Sequence, residues 1–146
     1  MEASCIDLGG WDTHVNQGGA EGQQARLLTE LAEGLAAFHT DMGAEMQRIT
    51  VVVMSEFGRR VHENGGRGTD HGHGGAMLMM SGALNGTPVT ARWVGLAPEV
   101  LDRGEDLPIT IDYRDVLSEV LALRLGNTAG SVFPGYTSNP IGLFRT

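Results

Sequence analysis

The sequence predicts an α/β fold with a mostly parallel sheet flanked by helices. Two observations carry this prediction. Short apolar runs at residues 4–8 and 50–54 are typical of buried strands. Between them, from about residue 21 to residue 48, apolar side chains recur every three or four positions, which is the period of an amphipathic helix. Strand, helix and strand form a βαβ unit, whose right-handed crossover places both strands parallel with their carboxyl ends at one sheet edge.

The predicted long helix presents one apolar face. Its members are Leu28, Leu31, Leu35, Phe38 and Met42. Gly34 and Gly43 interrupt the pattern, and each weakens a helix by up to about 1 kcal/mol relative to alanine. We therefore expect the helix to break near Gly43.

The second half of the chain predicts shorter elements. Residues 76–80 form a third apolar run that is typical of a buried strand, and residues 88–94 and 109–111 have the character of brief strands. Asp112 or Asp115 is expected to cap a helix that continues to Leu125 and ends at Gly126-Asn127. The tail from residue 131 to residue 146 is predicted to be irregular. We expect residues 1–146 to form a single α/β domain.

Composition excludes several classes of partner. The 146 residues carry a net charge of -8 and a pI near 4.9, so the chain lacks the clustered positive charge that nucleic acids and anionic membranes require. No apolar stretch approaches the roughly 20 residues of a membrane span. The single Cys5 excludes an internal disulfide bond and is expected to be a buried, inert thiol.

Six potential metal ligands follow the predicted strands or lie in the glycine-rich loop after the second one. They are Asp12, His14, Glu56, Asp70, His71 and His73. Parallel pairing of the strands would bring them to one sheet edge. Because imidazole nitrogen and carboxylate oxygen are the ligands of zinc and manganese, the set predicts a divalent metal site, Zn²⁺ or Mn²⁺, with one or two ions.

Four residues in the same part of the chain are candidate catalytic groups. Ser55 is a potential nucleophile, as is Thr69, although neither lies in a glycine-flanked nucleophile elbow. Glu56 is a potential catalytic carboxylate, and Arg59 a potential clamp for a tetrahedral oxyanion. The structural alternatives are that Glu56 pairs with Arg59 or a neighbouring arginine and that Asp12 caps a turn.

Other ionisable and sulfur-containing side chains have simpler interpretations. His39 lies off the apolar face of the predicted helix and His62 in a polar segment, so both are expected to be solvated. Methionines 77, 79 and 80 are expected in the core.

Five segments together resemble a known family. They are GGWDTH at 9–14, SEFGR at 55–59, GTDHGHGG at 68–75, DYRDVL at 112–117 and VFPG at 132–135. In this order they resemble the carboxyl-terminal half of the family called domain of unknown function 1501, which is grouped with the alkaline phosphatase and sulfatase superfamily. The resemblance implies a partial alkaline phosphatase-like core. Family members are often exported, so it also makes a periplasmic location an expectation, with the cytoplasm as the alternative.

The resemblance also implies roles for single residues. Asp12 and His14 would hold a first ion together with a histidine of the Asp70 loop, and the Asp70-His71 pair would hold a second. Glu56 occupies the position at which the superfamily has the aspartate of its Asp-His pair. The superfamily's nucleophile and a further metal-binding aspartate come from an amino-terminal half that this chain does not contain, so we expect a fragment of a longer protein.

Together these observations predict a metal-dependent hydrolase of small-molecule phosphate or sulfate esters. One alternative is a catalytically silent metal-binding module that is complete only with another chain. A second alternative is a serine esterase that uses Ser55. We also expect a homo-oligomer, because a partial fold leaves apolar strand edges that a second copy can cover.

Overall fold

The computed structural model describes residues 3–126 and 129–145, which form two α-helices and two small antiparallel sheets. The helices are α1 (Gln23–Met42) and α2 (Tyr113–Leu125), and the strands are β1 (Val51–Val53), β2 (Gly58–Arg59), β3 (His71–Gly72) and β4 (Leu78–Met80). Short 3₁₀ helices cover Gly43–Gln47, Pro98–Val100 and Ala129–Ser131. Strand β1 pairs with β4, and β2 pairs with β3.

Helix α1 confirms the predicted long helix and its break. It ends where Gly43 adopts a φ of 47°, a left-handed value that favours glycine. The chain continues as a 3₁₀ helix in which Met46 is only 3% exposed. The apolar face of α1 is much less buried than its pattern predicts, because Leu28 is 50% exposed and Phe38 39%.

The predicted parallel sheet with an alkaline phosphatase-like core is wrong. Strand β1 pairs antiparallel with β4, in a register that places Val52 opposite Met79. A parallel pair needs a crossover connection, usually a helix, and the segment between β1 and β4 instead contains the β2–β3 hairpin. Instead of the predicted single sheet flanked by helices, the described residues form two separate two-stranded sheets.

The predicted first strand is wrong as well. Residues 4–8 form no strand, and Ile6 is 89% exposed. Cys5, expected to be a buried thiol, is exposed. An apolar run becomes a strand only when another strand supplies hydrogen-bond partners, and no strand among the described residues pairs with this one. Residues 88–94 and 109–111 likewise form no strand.

The β2–β3 hairpin occupies part of the glycine-rich segment that was expected to be a loop. Gly58 pairs with Gly72, and Arg59 with His71. Both glycines lie against backbone, since a Cβ on Gly72 would approach the carbonyl carbon of Arg59 to 2.7 Å. Because Gly58 and Gly72 have no side chains, β2 and β3 approach each other closely. This pairing places His71 beside the amino-terminal loop.

Helix α2 confirms its predicted cap and its end at Leu125 and Gly126, whereas Asn127 lies outside the described residues. Asp112 caps it by accepting a 2.9 Å hydrogen bond from the backbone N–H of Arg114, and Gly126 ends it in the left-handed conformation with a φ of 58°. Arg124 near its end donates hydrogen bonds to Thr50 Oγ1 (2.9 Å), the Gln47 carbonyl (3.0 Å), the Ile49 carbonyl (3.1 Å) and Ser81 Oγ (2.8 Å). This guanidinium therefore ties α2 to the segments that precede β1 and follow β4. The tail was predicted to be irregular from residue 131 to residue 146, and residues 132–145 indeed form no helix or strand. Ser131 ends a 3₁₀ helix, and Thr146 lies outside the described residues.

The fold buries little. The large apolar side chains that are buried among the described residues are Met46, Leu101 and Val116. The accessible surface is 9952 Å², whereas a compact protein of this mass exposes about 7,200 Å². No helix of the described chain is both long and apolar enough to cross a bilayer.

Candidate metal centre

Two loops that are far apart in the sequence lie side by side at the candidate site. The first follows the amino-terminal segment, and the second precedes β3. Backbone N–H groups of Asn16 and Gln17 donate to the carbonyls of Gly66 (2.9 Å) and Arg67 (3.0 Å). Thr13, only 3% exposed, accepts through its carbonyl from the backbone N–H of Thr69 at 3.4 Å. These bonds hold Asp12 and His14 next to the segment that carries Asp70 and His71.

Gly68 permits this close approach. It is buried, and a Cβ at this position would overlap the backbone of Thr13 and His14. Overlap with backbone cannot be relieved by a side-chain rotation, so the two loops would have to separate. Gly65, three residues earlier, differs, since a Cβ there would meet no atom within 4 Å.

Asn64 fixes the second loop and joins it to the first. Its Oδ1 accepts from the backbone N–H groups of Gly66 (2.9 Å) and Gly68 (3.0 Å), which shapes the turn. Its Nδ2 donates to the His14 carbonyl at 3.0 Å and to Asp70 Oδ1 at 2.8 Å. One side chain thereby sets the positions of both loops.

Asp12, His14 and His71 converge at the surface. One ligand atom from each lies within 4.8 Å of the others. Asp12 Oδ1 is 2.9 Å from His14 Nε2 and 2.8 Å from His71 Nε2, and the two imidazole centroids are 4.8 Å apart. The side chains are 57%, 39% and 48% exposed respectively, so the site is open to solvent.

Phe57, which immediately precedes β2, and Arg59, which lies in β2, both contact this group. The Phe57 ring stacks on His71 with centroids 3.8 Å apart and an interplanar angle of 13°. The Arg59 guanidinium donates to the carbonyls of Thr69 and Trp11 and to Asp12 Oδ1, the last at 3.3 Å. Arg59 is 23% exposed, and these bonds position the Asp12 loop against the segment before β3.

Asp70 contacts His14 from the side opposite Asp12. Its Oδ1 lies 3.0 Å from His14 Nδ1 and also accepts from Asn64. These hydrogen bonds, from Asn64 first and His14 second, lower the pKa of Asp70 below its ordinary value of 3.8. Both nitrogens of His14 face a carboxylate, Nδ1 that of Asp70 and Nε2 that of Asp12, and a carboxylate only accepts. A ring whose single N–H donates to Asp70 therefore presents its Nε2 lone pair toward Asp12.

The electrostatics of Asp12 also favour its charged form. A hydrogen bond from His71 is the largest cause that lowers its pKa below 3.8, and the positive charge of Arg59 contributes. Asp12 is therefore a carboxylate at neutral pH, with two imidazole nitrogens directed at one of its oxygens.

The family described as "Protein of unknown function (DUF1501)" matches residues 4–143. The chain belongs to the DUF1501 family. No curated protein and no solved structure matches it.

The structure distributes the six predicted ligands of this DUF1501 chain unequally. Asp12, His14 and His71 meet in one group, while Asp70 lies behind His14. His73 belongs to a different group. Glu56 is exposed and lies outside both groups within residues 3–126 and 129–145.

The predicted catalytic residues lie outside the group formed by Asp12, His14 and His71. Ser55 is exposed, and its Oγ accepts from the backbone N–H of Phe57 at 3.4 Å. Glu56 does not pair with Arg59 or Arg60, whose acidic partners are Asp12 for the first and Glu105 and Asp106 for the second. His39 and His62 are exposed, as expected.

Sequence reasoning missed the residues that support the site. Asn64 precedes Gly65-Gly66, and asparagine before glycine is a turn signal that would have indicated a fixed loop. Phe57 lies in an identified motif, but nothing in the pattern indicates that it stacks on His71. Gln17 Oε1, which accepts from Thr69 Oγ1 at 2.8 Å, has no sequence signal.

Proposed function

We propose that this DUF1501 chain is a metal-dependent hydrolase of phosphate or sulfate esters whose metal ion is held by Asp12, His14 and His71. The observation that carries the proposal is the convergence of one carboxylate oxygen and two imidazole nitrogens within 4.8 Å at an open surface. Three protein ligands with a remaining open position are the usual composition of a catalytic zinc site.

The donor set fits a divalent ion. When a His14 ring with a single N–H donates it from Nδ1 to Asp70, the Nε2 lone pair faces the Asp12 carboxylate 2.9 Å away. Two groups that both present lone pairs repel each other unless the imidazole is protonated or a cation lies between them. A carboxylate behind the ring is also the usual outer partner of a metal-binding histidine. Zn²⁺ and Mn²⁺ match these ligands.

The remaining residues of the proposed site bind and orient. When bound, the ion supplies Lewis-acid chemistry to the ester. Arg59 places a permanent positive charge beside Asp12, where it adds attraction for an anionic ester while it holds the loop. Phe57 fixes the plane of His71. Ser55 and Glu56 immediately precede Phe57 and remain the predicted catalytic groups of the chain.

The substrate class comes from the resemblance to the alkaline phosphatase and sulfatase superfamily and not from the fold. The ester group itself is consistent with the site, because an anionic ester carries oxygen atoms that a divalent ion and an arginine both attract. The exposed fractions of the three ligands leave room for a small molecule at the surface.

Metal content and turnover test the proposal together. Protein purified without chelator is analysed for zinc and manganese, and the loaded protein is assayed with p-nitrophenyl phosphate and p-nitrophenyl sulfate. We expect bound metal and hydrolysis of at least one ester in the wild type, and loss of both in His71→Ala. His39→Ala, which removes an exposed imidazole on α1, is the matched control. A loaded wild-type protein that hydrolyses neither ester refutes the hydrolase proposal.

The large exposed surface favours a second candidate, a metal-binding module without activity of its own. The chain exposes about 2,700 Å² more than a compact protein of its mass, which exceeds the total area buried in a standard interface of about 1,600 Å². We expect such a module to bind metal and to form a homo-oligomer in light scattering coupled to size exclusion. A monomer that turns over esters contradicts it.

The serine esterase alternative has a different signature. Chelator would leave an esterase active, and Ser55→Ala would inactivate it. The metal-dependent hydrolase loses activity with chelator and regains it with Zn²⁺ or Mn²⁺.

A further inference from the structure

A second group of ligand atoms lies apart from the proposed catalytic ion and shares no residue with it. His73, Asp102 and Asp106 each offer one atom, and these atoms lie within 4.8 Å of one another. His73 Nδ1 contacts Asp102 Oδ2 directly. Of these three residues, only His73 is among the ligands predicted from the sequence.

A tight turn brings the two aspartates together. The backbone N–H of Asp102 donates to the Asp106 carbonyl at 2.8 Å, and the N–H of Asp106 donates to the Asp102 carbonyl at 3.0 Å. Arg103 and Gly104 between them have φ values of 54° and 74°. Residues that exchange both backbone bonds point their side chains to the same face, with Cβ atoms about 5 Å apart.

The turn is fixed beside His73. The backbone N–H of Gly74 donates to the Leu107 carbonyl at 2.7 Å, and a Cβ on Gly74 would approach that oxygen to 2.7 Å. Leu101, just before the turn, is 7% exposed and anchors it. The imidazole and the two carboxylates are therefore held together by backbone contacts that do not depend on their side chains.

The buried carboxylate of Asp106 needs a further partner. Its side chain is 9% exposed, and its Oδ1 accepts no hydrogen bond from the described residues. Arg60 Nε lies 3.8 Å away, which is beyond hydrogen-bond distance. A buried polar atom without a partner costs about 1–3 kcal/mol, and two carboxylates directly opposite each other add repulsion.

The turn at residues 102–106 carries more negative than positive charge. Arg60 Nη1 forms an ion pair with Glu105 Oε2 at 2.8 Å, and its Nε lies 3.8 Å from Asp106 Oδ1. The three carboxylates of Asp102, Glu105 and Asp106 thus share one arginine. A divalent cation would balance their charge, separate the carboxylates and supply a partner for Asp106 Oδ1.

We propose that His73, Asp102 and Asp106 form a second divalent metal site, with Zn²⁺ or Mn²⁺ as the matching ion. One imidazole nitrogen and two carboxylate oxygens are the donors that these ions accept. The site connects the end of the β2–β3 hairpin to the turn at residues 102–106, so its ion has a structural role in holding these segments together. The proposal does not depend on the hydrolase function.

Metal stoichiometry in paired variants tests this site. Apo protein is dialysed against Zn²⁺, and in a separate experiment against Mn²⁺, and the bound ion is counted per chain. We expect about two ions in the wild type, about one in Asp102→Ala and in Asp106→Asn, about one in His71→Ala, and none when His71→Ala is combined with Asp102→Ala. Glu99→Gln, an exposed acid three residues before Asp102, is the matched control and keeps two.

Separate readouts keep the outcome interpretable. Circular dichroism verifies that each variant is folded. The two aspartate variants also differ in burial, because the side chain of Asp102 is 39% exposed and that of Asp106 is buried. Imidazole nitrogen NMR follows His73, whose signal is expected to shift with Zn²⁺ in His71→Ala but not in Asp102→Ala. If folded Asp102→Ala binds as many ions as the wild type, or if His73 does not respond to Zn²⁺ in His71→Ala, the second site is refuted, whatever the ester assays show.

Discussion

Replacing Asp70 distinguishes a residue that positions His14 from one that binds the metal. Asp70 Oδ1 lies 3.0 Å from His14 Nδ1 and is outside the group formed by Asp12, His14 and His71. Asp70→Ala removes the acceptor that keeps the proton on Nδ1. The ring of His14 is then free to turn and to place its proton on Nε2, the atom that faces the proposed ion.

The expected effect is a moderate loss of metal affinity. Removal of a carboxylate behind a metal-binding histidine weakens binding by roughly 10- to 100-fold. The side chains of Asp70 and His14 are 44% and 39% exposed, so water replaces part of the lost bond. We therefore expect a loss near the lower limit, about tenfold. Asp70→Asn retains an acceptor oxygen and should fall between Asp70→Ala and the wild type.

Isothermal titration with Zn²⁺ measures this series. To isolate one site, the titrations use a background in which Asp102→Ala removes the second proposed site. Asp41→Ala, an exposed acid at the end of α1, controls for the loss of one negative charge. Unchanged affinity in Asp70→Ala would refute the positioning role, and complete loss, equal to that of His71→Ala, would show that Asp70 binds the ion directly.

Three further predictions test the scaffold. Gly68→Ala should weaken Zn²⁺ binding and lower Tm, because a Cβ overlaps the backbone of His14, while Gly65→Ala should change neither; equal behaviour of the two variants contradicts the close approach. Arg124→Met should lower the free energy of unfolding in urea by about 2–4 kcal/mol, since four hydrogen bonds are lost at about 1 kcal/mol each, and a change below about 0.5 kcal/mol would exclude this role. Asp112→Asn keeps the helix cap but weakens the hydrogen bonds that the Arg114 guanidinium donates to the Asp112 side chain, which are the largest cause that lowers the pKa of Asp112 below 3.8. Its Tm should therefore be below that of the wild type at pH 5–7, and the difference should disappear as pH falls from about 4 through the lowered pKa; a difference that grows on acidification has the wrong sign.

The helices were predictable because their signals are local. The three- and four-residue period of α1, the positive φ at Gly43 and the Asp112 cap of α2 all depend on a few consecutive residues. No distant contact is needed to form them. The burial of the α1 face was not predictable in the same way, since Leu28 and Phe38 are apolar in sequence yet half exposed in the fold.

The sheet was mispredicted because strand pairing is not local. The runs at residues 4–8 and 50–54 look alike in sequence, but only the second contains a strand, β1. What decides the outcome is the partner: β1 pairs antiparallel with β4, and residues 4–8 pair with no described strand. A period of apolar residues identifies a potential strand and does not identify its neighbour.

The proximity of Asp12, His14 and His71 was nevertheless anticipated, although by reasoning from a sheet edge that does not exist. Contacts between loops bring these residues together, through Gly68, Asn64 and the β2–β3 hairpin. The second group was missed because Asp102 is 29 residues from His73 and becomes its neighbour only when the turn at residues 102–106 folds against the hairpin. Residue type identified the candidate ligands, while backbone contacts between distant segments decided which of them lie together.

The 56-residue separation between His14 and Asp70 links ion supply to folding. Closing a chain segment of this length costs about 3.6 kcal/mol of entropy from its length alone. An ion that binds only the closed form at a thousand times its dissociation constant returns about 4.1 kcal/mol. The two amounts are of similar size, so an ion at the proposed site would add substantially to the docking that the backbone bonds between the two loops already provide. Loss of that ion would make the amino-terminal loop easier for proteases to reach.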